Sequence, residues 1–129
     1  MPPEPFEYAV LRVVPRVERG EQLNVGVVLQ CRPRRFLGCR IELGESRREA
    51  LRALAPDMDV AAIAAHLEGI RRIVAGEPDG GPIAKLHRPE RFHWLVSPSS
   101  TMIQPSAVHT GLTEDPQASL DDLFAKLVG

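Results

Sequence analysis

Lysine is almost missing from this 129-residue chain: Lys85 and Lys126 are the only two, so arginine supplies nearly all of the sixteen basic residues. Aromatic residues are also scarce, with one Trp, one Tyr and four Phe. Basic and acidic side chains nearly cancel, for a formal net charge of −1. That balance argues against a strongly basic nucleic-acid module and against an acidic tail. No apolar run approaches the roughly 18 residues that a membrane span needs. The opening Met1-Pro2-Pro3-Glu4-Pro5 carries no signal-peptide pattern, so the expected location is the cytoplasm with no membrane partner. Two cysteines, Cys31 and Cys39, are too few for a structural zinc, and no His stands at finger-like spacing. They read as small buried apolar side chains without a disulfide. No Gly-rich phosphate loop, nucleophile elbow or helical His pair occurs, and no metal or cofactor is expected.

What is present reads as one α+β domain over residues 1–129. From Phe6 to Val14 the residues are mostly aromatic or branched, as in a strand, and Pro15 ends the run. A charged loop containing Gly20 follows. Leu23 to Cys31 then alternates, with Leu23, Val25, Val27, Leu29 and Cys31 on one side and Asn24, Gly26, Val28 and Gln30 on the other. After an Arg32-Pro33-Arg34-Arg35 turn, Leu37, Cys39, Ile41 and Leu43 continue the apolar side. Short connections make these three strands an antiparallel meander. Ser46 and Glu49 fit a capping box for a helix ending at Pro56. Val60, Ile63, Leu67, Ile70 and Val74 form the stripe of a longer helix, capped by Asp57 or Asp59 and stopped at Gly76. The alternation of Phe92, Trp94 and Val96 predicts a strand, and Thr101 to Val108 a last strand demoted to an edge or bulge by Pro105. Asp115-Pro116 opens a final helix. The expected fold is an antiparallel sheet of about four to five strands with helices packed on one face.

Candidate binding residues lie on the wetter sheet face. The alternation places Arg12, Asn24, Gly26, Gln30, Arg40 and Glu42 together there. Arg12 stands among Val10, Leu11, Val13 and Val14, where a guanidinium is costly unless paired. Its partner is read as Glu42, Asn24 or an external anion, which makes the face either a polar binding patch or an internal salt bridge. Gly26 in mid-strand marks a close approach by another backbone or a ligand. The second candidate is a hydroxyl-rich stretch with Ser97, Ser99, Ser100, Thr101 and Ser106 around Gln104, able to hold phosphate or simply to build a turn. The arginine turn has thin aromatic support and reads as a solvated turn, so no nucleic-acid partner is expected.

Tyr8, Val10 and Arg12, the Arg19–Glu21 loop, Asn24-Val25-Gly26-Val27-Val28, and Ser100 to Ser106 with His109 to Thr113 and Asp115-Pro116 together resemble the bacterial family called domain of unknown function 3037. The resemblance spans nearly the whole chain and is thinnest from Gly76 to Arg91. It implies no active site. It suggests a small accessory subunit, with HipA-like Ser/Thr kinases encoded nearby as the protein partner, and it allows a homodimer. With no catalytic constellation, the expectation is a non-catalytic, partner-binding protein. The competing reading is an enzyme or binding domain for a phosphorylated or nucleotide-like small molecule, with Arg12 and Arg40 as anion anchors and Asn24 and Gln104 for orientation.

Overall fold

A computed structural model describes residues 2–98 and 101–129. Strands β1 (Glu4–Val13), β2 (Leu23–Cys31) and β3 (Phe36–Ile41) form the expected meander. Helices α1 (Glu45–Leu54), α2 (Val60–Ala75) and α3 (Arg88–Leu95) follow, then β4 (Ile103–Pro105), β5 (His109–Thr113) and α4 (Pro116–Leu127). The sheet has five strands in the order β3-β2-β1-β4, and β5 pairs with β1 beyond β4. All pairings are antiparallel, so the fold is α+β with adjacent N-terminal strands, as the pattern predicts. Among the described residues no helix is long and apolar enough to cross a membrane.

Apolar side chains gather in two clusters on opposite sheet faces. Ala9, Leu11, Val13, Val25, Val28 and Ile41 pack with Leu51, Ile63, Leu67, Ile70 and Phe92 from α1, α2 and α3. Phe6, Val27, Leu29 and Cys31 pack with Leu120 and Phe124 of α4. The expectation of helices on one face is therefore corrected, because α4 takes the other. The reason is visible in β2, whose residues from Val25 to Cys31 are all buried. A strand covered on both faces carries branched residues at odd and even positions alike. Its apolar side was also misassigned in part, since Val25 and Val28 face α1–α3 while Val27, Leu29 and Cys31 face α4. A bulge between Leu11 and Arg12 shifts the register by one residue, pairing Leu11 with Gly26 and Arg12 with Asn24. An extra residue in one strand breaks period-two alternation at that point.

Three further expectations change. Helix α1 begins at Glu45 with Gly44 as its cap and no side-chain capping bond, so Ser46 and Glu49 form no capping box. Phe92 to Val96 is not a strand but the last turn of α3 and its C-cap residue Val96. Pro89 opens that helix in its first turn, and Arg91, Phe92 and Leu95 are its buried residues, at helical spacing, while Trp94 points outward. The strand expected from Thr101 to Val108 shrinks to β4, and β5 is a further strand that the pattern did not reveal, with Ser106 between the two. There the Val10 amide donates to the Ser106 hydroxyl oxygen, and the Ser106 amide to the Val10 carbonyl, both at 2.8 Å. Other caps fall as read: Asp59 accepts from the Ala62 amide, Gly76 closes α2 at φ +69°, and Asp115 accepts from the Ala118 amide.

Candidate functional site

Arg12 and Asn24 are direct cross-strand partners, with Gln104 opposite Arg12 on the other side. These three side chains form a polar row on the α4 face, opposite Leu11 and Val13. Arg12 is half-buried; its Nε is fully enclosed without a hydrogen-bond partner, and none of the ion pairs among the described residues includes it. Glu42, the expected acid, pairs with Arg47 at 3.7 Å instead. Asn24 Nδ2 donates to the Leu127 carbonyl at 3.1 Å and thereby ties β2 to the last turn of α4.

Arg40 shares this face but serves another end. Its guanidinium lies 4.5 Å from the Phe124 ring centroid and 3.3 Å from an Asp121 carboxylate oxygen. Both partners belong to α4, so Arg40 clamps the helix to the sheet. Gly26 and Gln30 lie on the opposite face, apart from the row. Gly26 faces β3, where a methyl group would meet Ile41 Cγ1 at 2.8 Å and the Arg40 carbonyl oxygen at 2.9 Å. The close neighbour is backbone. Gln30 donates to Glu7 at 3.0 Å. The polar face expected to be wet is thus covered by α4 along much of its length.

The hydroxyl-rich stretch leads elsewhere. Ser99 and Ser100 lie outside the described residues. Ser97 donates to the His93 carbonyl at 2.7 Å, continuing α3, and Thr101 donates to the Ile103 carbonyl at 2.8 Å. Gln104 Nε2 donates to the Thr101 carbonyl at 2.8 Å. These bonds are turn chemistry. Between this stretch and α2 runs a groove of about 350 Å³, mostly apolar, lined by Leu11, Ile70, Trp94, Leu95, Pro98 and Ile103, with His66, Ser97 and Thr101 at its polar points. Trp94 is 46% exposed. Sequence reasoning missed this groove because it placed Trp94 on a strand among buried partners. The signal that could have found it was Pro89, which favours a helix start.

A wider hollow of about 560 Å³ opens between β2, the start of α1 and the end of α4, lined by Gln22, Asn24, Ser46, Arg47 and Val128 among others. Its one cation, Arg47, is engaged by Glu42 and by the Val128 carbonyl. Arg91 is a second buried guanidinium, and it too is committed: its Nη1 donates to the carbonyls of Ile73 and Val74 at 2.8 and 3.0 Å, closing the end of α2. Burial, followed by the nearby Arg88, lowers its pKa. Burial pushes the Cys39 thiol up to about 11, with Arg71 opposing and Glu68 adding to the shift. Among the described residues no group of three His, Cys, Asp or Glu side chains could hold a metal ion.

No curated protein and no solved structure matches the chain. The family described as protein of unknown function DUF3037 matches residues 8–128, which hold the polar row of Arg12, Asn24 and Gln104, the α4 clamp and the Trp94 groove alike. The chain belongs to that family.

Proposed function

We propose that this protein is a non-catalytic binding module that holds a partner protein by taking one of its large apolar side chains into the groove beside Trp94. The observation that carries this reading is the half-exposed Trp94 at the rim of a mostly apolar groove. An exposed aromatic side chain at the rim of a preformed apolar depression is typical of protein-interface cores, and Trp is enriched where truncation costs most affinity. The groove lies at the low end of ligand-site volumes, a fit for one side chain. The small-molecule reading relies on Arg12 and Arg40 acting as a pair. Arg40 is already occupied by Asp121 and Phe124, which favours the protein-binding reading.

Trp94 is the sole tryptophan, so its emission reports the groove directly. The tagged chain is co-expressed with the products of its neighbouring genes, a HipA-like kinase among them where one is encoded. A partner that co-purifies, shifts Trp94 emission to shorter wavelength and is lost in Trp94→Ala supports the reading. Retention of no neighbour, or equal retention by Trp94→Ala, overturns it.

A further inference from the structure

The outer edge of β5 has a hydrogen-bonding pattern that can be worked out residue by residue. Pro5 of β1 stands opposite Leu112 and has no N–H, so this pair is a non-hydrogen-bonded one. The bonded pairs are then those of His109, Gly111 and Thr113 with Tyr8, Phe6 and Glu4. The parity agrees with the next residue along β1, since Val10 directs both its amide and its carbonyl toward Ser106. Thr110 and Leu112 therefore point their N–H and C=O groups away from the sheet, and no described residue bonds them.

Exposed edges are ordinarily blunted by Lys, Pro, inward charge or a covering element. The far edge follows that rule: α2 packs on β3, and Arg71 donates to the Ile41 carbonyl at 2.9 Å. By contrast, β5 reads His-Thr-Gly-Leu-Thr, with no Lys, Arg, Asp, Glu or Pro. Leu112 is 69% exposed and Val108, just before the strand, 38%.

We propose that β5 is the seam of a two-fold dimer, in which a second copy of this chain pairs antiparallel with it about Gly111. An isologous contact must satisfy itself, with each residue meeting its symmetry mate's counterpart. Centring the axis on Gly111 sets Thr110 against Leu112 of the second copy and Leu112 against its Thr110. Those are the residues with outward groups, so every outward N–H and C=O within β5 finds a partner. The same register brings the two Leu112 side chains into diagonal contact on one face, with Val108 of each copy beside them. No charged side chain of β5 opposes a like charge. The sheet becomes continuous across both copies, and this surface is separate from the Trp94 groove.

Sedimentation equilibrium on the full chain tests this. One short strand pair supports a Kd in the range of roughly 1 µM to 1 mM, so the mass should rise toward two chains across that range of concentration. Leu112→Lys alters a side chain that is mostly in solvent and sets like charges beside each other in the dimer. It should weaken association at least about tenfold while leaving the circular dichroism unchanged. Thr110→Pro removes an outward N–H while sparing every hydrogen bond between β5 and β1, and with the circular dichroism unchanged it should weaken association in the same way. A wild-type chain that stays monomeric throughout overturns the proposal. So does a dimer whose affinity both variants leave intact.

Discussion

Gly26 on β2 stands directly opposite Ile41 on β3, close enough that a methyl group added to the glycine would lie 2.8 Å from Ile41 Cγ1. The Arg40 carbonyl, 2.9 Å from the same point, is backbone and has no rotamer into which it could retreat. The bulge one residue away fixes the strand here, since both Val25 and Val28 depend on it for their place in the core.

Gly26→Ala should therefore destabilise the fold by about 1–3 kcal/mol, the usual range for overpacking a well-filled interior. Urea denaturation measures it as a lower midpoint with little change in slope. An unchanged midpoint would show that β3 can move away from β2 at this position.

Arg12 gives the opposite expectation. Among the described residues it has no carboxylate partner and its Nε is enclosed without a hydrogen bond, so removing the guanidinium breaks no ion pair there. Arg12→Met keeps an aliphatic stem of similar length and discards the unsatisfied donor. The change in stability should stay within about 1 kcal/mol of zero or be stabilising, in contrast to the roughly 3–5 kcal/mol lost on breaking a buried pair. A loss in that larger range, read from the same urea transitions, would mean that Arg12 holds an acid in solution.

Cys39 makes stability depend on alkaline pH. Burial raises its thiol from 9.0 to about 11, so the folded chain holds the proton more tightly than the unfolded chain does. Its contribution is complete below pH 9 and is lost as the pH climbs through about 11. The loss amounts to roughly 2–3 kcal/mol at about 1.4 kcal/mol per pH unit. Cys39→Ala should flatten the decline between pH 9 and 11 relative to the parent chain. Parallel declines in the two proteins would assign the effect to other groups.

Much of this architecture was legible in the chain itself. The meander of β1 to β3 follows from alternation and short turns, and Asp59, Gly76 and Asp115-Pro116 mark helix ends through bonds made within one turn of the backbone. The adjacency of Arg12 and Asn24 was legible too, because the apolar residues flanking each of them leave only the other face free. Local chemistry determines such features, since a cap or a tight turn is satisfied by its immediate neighbours.

Tertiary structure decided the rest. Whether β2 would be covered once or twice depended on where α4 docks, and that depends on Leu120 and Phe124 meeting Val27 and Leu29 across some ninety residues of chain. Phe92 to Val96 satisfies strand and helix periodicity almost equally over five residues. The packing of Arg91 against the end of α2 and of Phe92 and Leu95 in the core selects the helix and leaves Trp94 outside. The groove and the open β5 edge exist only once those distant segments meet, because each is built from the surface that packing leaves uncovered.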